Sequence, residues 1–253
     1  ELYTVTKNNG TRRTGILFKQ EDSNLAPTIY LEEFYQKYLK GQQVPDLADS
    51  ICSIYQEIRV KKTCDCQNLF DFNHVKEHIV YKLIRRDANE ELLKKIPYEP
   101  FLDLAVVYYI QIDNTRFGSA AIQIRNEHLR YWRVEKEEIR RLAEKNTPRI
   151  YPVQIRQIVR FMYVATNEQC SLGAAVMRYP DFREKVRGMI RGDFYILPSS
   201  IHEVILVPES FGLEPERMQE MVKEINQTGV APEEVLSDSV YYFDGEEIRI
   251  VAK

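Results

Sequence analysis

One apolar stretch, residues 193–208 (DFYILPSSIHEVILVP), constrains the fold of this chain more than any other segment. Two short runs of branched and aromatic side chains flank a turn that contains proline and serine, which predicts a strand, a turn and a returning strand. Purely apolar runs, such as residues 104–110 and 204–207, fall far short of the roughly 20 residues that a membrane span needs. We therefore expect a protein core built around this strand pair.

Turn residues mark two further strand pairs. Asn9 and Gly10 separate strand-like residues 2–7 and 11–19, and Asp244 and Gly245 separate residues 240–243 and 248–252. Asn-Gly and Asp-Gly pairs readily adopt the positive φ angles of a tight hairpin turn. The sequence therefore predicts a hairpin near each end of the chain.

Helical spacing of apolar residues predicts helices between these hairpins. They cover residues 31–39, the segment from Pro45, the segment after Asp71, residues 181–189 and the segment from Pro215. In the helix after Asp71, the apolar residues would be Phe72, Val75, Ile79 and Leu83. Residues 104–112 are apolar except for Gln111, as is typical of a buried central strand.

The predicted fold class is α+β, with antiparallel hairpins and mixed sheets packed with helices in two lobes. Residues 146–160 have mixed polarity and contain Pro148 and Pro152, so we place the boundary between the lobes there. The N-terminal lobe would comprise residues 1–150. The C-terminal lobe would comprise residues 160–253, with the strand, turn and strand at 193–208 and the terminal hairpin at 239–252.

Charge and cysteine content limit the partners and the compartment. The 38 acidic and 35 basic side chains are interspersed and give a formal charge of -3, so we expect neither nucleic acid nor a membrane surface as a partner. Four cysteines do not resemble the dense disulfide framework of a secreted domain, and we predict a cytoplasmic location. Because the chain begins at Glu1 in a strand-like pattern, we expect that a preceding segment was trimmed.

The turn at residues 198–203 holds the best catalytic candidates. Ser199 or Ser200, His202 and Glu203 would supply a nucleophile, a base and an orienting carboxylate. If His202 and Glu203 both lie in the returning strand, however, their side chains point to opposite faces. Serine and proline also build ordinary turns, so we favour a structural turn and keep catalysis as the alternative.

Cys64, Cys66, His74 and His78 form the best metal candidate. Two thiolates and two imidazoles are a common tetrahedral zinc set, and the histidines are four residues apart, on one face of the predicted helix. A single residue between the cysteines is less than the usual spacing, and a solvated helix face beside a polar loop explains the same residues. We predict no metal and, because no phosphate-binding glycine motif occurs, no nucleotide or other cofactor.

The stretch at 193–208 also carries a family resemblance. It resembles the hallmark segment of an uncharacterised bacterial family known only as a domain of unknown function, DUF5688. Further matching segments are KNNGTRRTG, PTIYLE, IVYKLI, PFLDLAVV, NTPR and VAPEEVLSDSVYY, so the resemblance covers nearly the whole chain. It implies no activity, ligand or site residues.

The resulting functional prediction is a non-enzymatic interaction or regulatory protein with an unknown protein partner. It rests on the lack of a convergent catalytic set and on the many aromatic residues, 16 Tyr and 11 Phe, available for partner contacts. The alternative is a hydrolase-like enzyme or a small-ligand-binding protein that uses the turn at 198–203.

Overall fold

The computed structural model describes residues 1–19, 28–58, 71–115 and 118–253, and it confirms the α+β class. Within these residues the strands form three sheets in which every pairing is antiparallel. The strands are β1 Leu2–Thr6, β2 Arg12–Leu17, β3 Thr28–Tyr30, β4 Ile79–Arg85, β5 Tyr98–Phe101, β6 Leu104–Thr115, β7 Gly118–Gln123, β8 Val153–Val159, β9 Met162–Asn167, β10 Phe194–Leu197, β11 Val204–Pro208, β12 Val240–Phe243 and β13 Ile248–Ala252.

Helices connect and cover these sheets. They are α1 Glu32–Leu39, α2 Val44–Ile58, α3 Phe72–Val75, α4 Glu90–Leu93, α5 Asn126–Trp132, α6 Lys136–Ile150, α7 Phe182–Met189 and α8 Pro215–Thr228. Pro215 stands in the first turn of α8, where its missing N–H would have no helical partner in any case.

The N-terminal sheet has the order β1-β2-β3, and the predicted hairpin between β1 and β2 is confirmed. Its turn places Asn9 at φ 57° and Gly10 at φ 69°, the left-handed conformation that asparagine and glycine tolerate best. One face packs on α1 and α2 through a small apolar cluster of Ile29, Phe34, Leu47 and Ile51.

The second sheet has β6 at its centre, as predicted for residues 104–112. One edge of β6 pairs with β4, and the other pairs with β5 and then with β7. The helix predicted to carry Phe72, Val75, Ile79 and Leu83 is wrong beyond its first turns. Asp71 does cap α3 by accepting the Asn73 N–H, but the chain becomes strand β4 at Ile79.

The third sheet has the order β13-β12-β10-β11-β9-β8, and it contains both predicted strand pairs of the C-terminal half. In the stretch at 193–208, β10 pairs with β11, so that Phe194 lies opposite Pro208 and Leu197 lies opposite Ile205. The terminal hairpin of β12 and β13 extends the sheet from β10.

One apolar cluster joins the second and third sheets. It includes Tyr108 and Ile139 from the predicted N-terminal lobe and Phe194, Tyr241 and Phe243 from the predicted C-terminal lobe. In the stretch chosen as the boundary, α6 continues through Pro148 to Ile150, and β8 follows. The division into two lobes stays a prediction. Among the described residues, no helix combines the length and the apolar character that crossing a membrane demands.

Candidate anion-binding cavity

A cavity of about 930 Å³ lies between the tip of the first hairpin, strand β4 and the segment that follows β4. This volume falls within the range of about 300–1,000 Å³ that is typical of small-molecule sites. The lining residues come from four separate parts of the chain: Thr6, Lys7, Asn8, Gly10, Lys82, Ile84, Asp87, Ala88, Asn89, Glu90, Glu91, Leu92, Lys95, Ile96, Gln123 and Arg125.

Lys82 reaches this cavity because of the alternation along β4. Ile79, Tyr81 and Leu83 point into the main core, so the intervening side chains lie on the opposite face of the sheet. There Val80 joins one small apolar cluster and Ile84 another, and Lys82 stands between them. A lysine therefore occupies a sheet face that is largely apolar, with Gln123 as a polar neighbour in the cavity lining.

Asparagine contacts hold the hairpin tip over this face. The Asn9 backbone N–H donates to Asn89 Oδ1 at 3.0 Å, and Asn89 Nδ2 donates back to Asn9 Oδ1 at 2.9 Å. Asn8 Nδ2 donates to the Glu233 carbonyl oxygen at 2.7 Å. These contacts place Lys7 on the cavity wall, where its Nζ also lies 4.5 Å from the centre of the Tyr30 ring.

The charges around the cavity do not balance. Among the described residues, no carboxylate lies within ion-pair distance of Lys7, Lys82, Lys95 or Arg125. Two of the three lining acids are already paired with cations outside the lining, Asp87 with Arg85 and Glu91 with Lys94. Glu90 is the third acid, and it is exposed. The wall therefore carries an excess of positive charge.

Lys82 is also electrostatically unusual. Burial lowers the pKa of its ammonium group, and the nearby charge of Lys7 lowers that pKa further. Its Nζ lies 5.8 Å from the centre of the Tyr109 ring, a weak cation–π contact. An anion in the cavity would reverse both effects, because it would replace the lost hydration and oppose the charge of Lys7.

The structure brings two of the predicted catalytic residues into contact, and both lie in the loop before β11. Ser200 Oγ accepts the His202 backbone N–H at 3.1 Å. His202 Nδ1 accepts the Leu172 N–H at 3.2 Å, and His202 Nε2 lies 3.3 Å from Glu234 Oε1. Both ring nitrogens are thus engaged, so neither is available to accept a proton from a serine hydroxyl.

The remaining two candidates take up structural positions in the same loop. The Ser199 carbonyl oxygen accepts the Leu236 N–H at 2.9 Å, which ties the turn to the segment after α8. Glu203 immediately precedes β11, and the carboxylate that faces His202 belongs to Glu234. These contacts support a structural turn, and the catalytic role stays a prediction.

His202 should therefore contribute to stability. We expect His202→Ala to lower the free energy of unfolding by about 1–2 kcal/mol, because the Leu172 N–H loses its acceptor. Urea denaturation followed by circular dichroism measures this change. Glu203→Ala is the matched control and should change stability by less than about 0.5 kcal/mol. Equal losses in the two variants would contradict this account of the loop.

The zinc candidate is only partly within the described residues. Cys64 and Cys66 lie outside them, whereas His74 and His78 are both exposed. The helix face predicted for the two histidines is wrong, because α3 ends at Val75 and a 3-10 turn, Lys76–His78, follows. In the part of the chain that the structure describes, no group of three or more His, Cys, Asp or Glu side chains is placed to hold a metal ion.

The cavity is not evident from sequence patterns, although one local signal points to it. Lys82 is the only charged residue in the run IVYKLI, which was interpreted as part of a helix. When read as a strand with apolar residues on both faces, that run places its lysine among apolar neighbours. The contribution of Lys7, Lys95 and Arg125 has no comparable local signal.

Fold and site together define an α+β protein with antiparallel sheets and a basic, partly apolar cavity. Comparison with known families then identifies its group. The model of a family of unknown function, DUF5688, matches residues 1–162 and 156–245, and the chain belongs to that family. No curated protein matches the chain, and no solved structure matches it either.

Proposed function

We propose that this protein is a non-enzymatic binding protein that holds a small organic anion in the cavity around Lys82. The ligand would carry a phosphate or carboxylate group on an apolar body. The observation that carries this proposal is the Lys82 ammonium group, which lines the cavity without a carboxylate partner among the described residues.

The side chains of the cavity wall are suited to bind both the anionic group and the apolar body of this ligand. Lys7, Lys95 and Arg125 offer donors to an oxyanion, and charge-assisted hydrogen bonds are stronger than neutral ones. Ile84 and Ile96 are buried apolar residues that line the same space and would contact the apolar body.

The loss of stability that Lys82 causes in the ligand-free protein also favours a binding role. A poorly hydrated ammonium group beside a second lysine destabilises the fold, and residues that lower stability are typical of functional sites. A protein that binds a small anion is consistent with the predicted regulatory role in the cytoplasm. The protein partner and the hydrolase-like alternative stay predictions.

Thermal unfolding with phenyl phosphate as the probe tests the proposal. A ligand at 100 times its dissociation constant stabilises the folded state by about 2.7 kcal/mol, which is easily seen as a higher Tm. We expect phenyl phosphate to raise the Tm of the wild-type protein more than sodium sulfate does at equal ionic strength. Equal shifts with the two salts would contradict the proposal.

Replacement of Lys82 should separate binding from folding. We expect Lys82→Met to reduce the affinity for phenyl phosphate about tenfold or more, because the cation at the cavity wall is lost. The same variant should be more stable than the wild type without ligand, by about 1 kcal/mol, since the burial cost is removed.

Lys223→Met is the matched control for this experiment. Lys223 is exposed on α8 and is not one of the residues that line the cavity. Its replacement should leave both the Tm and the phenyl phosphate shift unchanged. If the shift persists in Lys82→Met and equals that of the wild type, the probe binds elsewhere and the proposal fails.

A further inference from the structure

We infer that the Lys82 amine forms a reversible imine with a small aldehyde or ketone that carries a carboxylate or phosphate group. This inference rests on the proposed anion-binding function, because the same cavity would hold the anionic part of the ligand. It goes further in giving Lys82 a covalent role and in naming the substrate class as anionic carbonyl compounds.

The placement of Lys82 is the first argument for this role. Several lysines among the described residues, such as Lys94 beside Glu91 and Lys185 beside Asp181, lie within ion-pair distance of a carboxylate. Lys82 instead lines a cavity between buried apolar clusters, with the Tyr109 ring as its neighbour. Its nitrogen has room for a ligand and no anion among the described residues to compete with it.

In the cavity without a bound anion, the electrostatic surroundings of Lys82 favour the neutral amine. Burial and the charge of Lys7 both lower the pKa of Lys82, so a larger fraction of neutral amine is present near neutral pH than for an exposed lysine. Desolvation in an apolar pocket next to a second cation is a recognised way to activate a lysine nucleophile. The acids of the lining, Asp87, Glu90 and Glu91, are all exposed.

The reaction balances without an oxidant, a reductant or a cofactor. The neutral nitrogen of Lys82 attacks the carbonyl carbon, and a C–N bond forms while the carbonyl π bond breaks. Proton transfer from nitrogen to oxygen gives a carbinolamine. Its hydroxyl group then leaves with the remaining proton of the nitrogen as one molecule of water, and the nitrogen lone pair forms the C=N bond. The product is an imine, and addition of water reverses each step.

The other cations account for the anionic group on the ligand. Lys82 cannot serve as the reacting amine and as a permanent counter-ion at once, because the reacting form is neutral. Lys7, Lys95 and Arg125 remain to bind the carboxylate or phosphate. A carbonyl compound with no anionic group would gain nothing from these three side chains and should react more slowly.

Reductive trapping with glyoxylate tests the inference. Glyoxylate carries an aldehyde beside a carboxylate, and borohydride would convert its imine with Lys82 into a stable carboxymethyl amine. We expect peptide mass spectrometry to find this adduct on Lys82 several-fold more often than on any other lysine. Peptide mapping also separates it from adducts on exposed lysines such as Lys95 and Lys223.

Two probes and one variant supply the controls. Glycolate has the carboxylate but no carbonyl group and should leave no adduct, whereas acetaldehyde has the carbonyl but no carboxylate and should label Lys82 less. Lys82→Arg keeps a positive charge and has no amine that forms an imine. It should lose the Lys82 adduct and still show a Tm shift with phenyl phosphate.

The outcomes distinguish this inference from the proposed function. Uniform labelling of the lysines, or stronger labelling by acetaldehyde than by glyoxylate, would overturn the imine. If phenyl phosphate still raised the Tm in that case, the anion-binding function would stand without it. If phenyl phosphate had no effect on the Tm and glyoxylate labelled no lysine selectively, the imine and the anion-binding function would both be contradicted.

Discussion

Replacing Asp103 by alanine should lower the free energy of unfolding by about 4 kcal/mol. The Asp103 carboxylate accepts hydrogen bonds from Ser237 Oγ at 2.7 Å, from Ser239 Oγ at 2.8 Å and from the Tyr241 hydroxyl. All three donors are at most 2% exposed. Each hydrogen bond to a charged acceptor contributes about 1.5–3 kcal/mol, and the losses are not fully additive.

The Asp103 cluster also connects distant parts of the chain. Asp103 lies in the short turn between β5 and β6, whereas its three donors lie at and before β12. Burial raises the pKa of Tyr241 well above its ordinary value, so the phenol stays protonated and remains a donor. The alanine variant would leave three buried hydroxyl groups without their acceptor, which is the main source of the expected loss.

Urea unfolding of Asp103→Ala and Asp87→Ala provides the comparison. Asp87 is an exposed acid that pairs with Arg85 on the nearby surface, so its removal should cost less than about 1 kcal/mol. A loss below about 1.5 kcal/mol for Asp103→Ala would mean that the three hydroxyl groups find other partners, and the role assigned to Asp103 would then be wrong.

Gly173→Ala should destabilise the protein by about 3 kcal/mol, because the new methyl group has no space. An added Cβ would lie 2.1 Å from Thr166 Oγ1, 2.5 Å from the His202 carbonyl oxygen and 2.8 Å from the Asn167 backbone nitrogen. Two of these three atoms belong to the backbone and cannot rotate away. Overpacking of this kind commonly costs about 1–3 kcal/mol, and rigid neighbours place this site at the upper end.

Gly188→Ala is the matched control for that prediction. Gly188 lies in α7, and nothing lies within 4 Å of the position that its Cβ would take. Alanine there should stabilise the protein by up to about 1 kcal/mol, since glycine is a poor helix former. Thermal or urea unfolding of both variants measures the difference. A Gly173→Ala variant as stable as the wild type would contradict the close packing of this loop.

Local chemistry made much of the fold predictable from the sequence. Asn9, Gly10 and Gly245 adopt the positive φ angles expected of tight turns, and both hairpins form as expected. Pro215 marked the first turn of α8 correctly. Each of these signals depends only on residues adjacent in the chain, so no knowledge of the tertiary structure was needed.

The error at β4 has a physical cause. A strand buried on both faces lacks the alternation of polar and apolar residues that identifies a half-buried strand. Phe72, Val75, Ile79 and Leu83 happened to match helical spacing, and this match favoured a helix. The pairing of β4 with β6, which decides the matter, joins segments about 25 residues apart and has no local signature.

The cavity could not be predicted for a related reason. Lys7, Lys82 and Arg125 meet only because the first hairpin is anchored through Asn9 to Asn89, across 80 residues of chain. The partner of His202 was likewise missed, since Glu234 is 32 residues away and the adjacent Glu203 was the obvious choice. Long-range contacts, rather than composition or motifs, create both arrangements.

The most direct test of the central claim is a calorimetric titration of phenyl phosphate into the wild-type protein and into Lys82→Met, at one ionic strength. An anion-binding cavity around Lys82 predicts a saturable heat with one site per chain for the wild type. It also predicts an affinity about tenfold or more lower for the variant. Identical isotherms for the two proteins, or no saturable heat with the wild type, would contradict the claim.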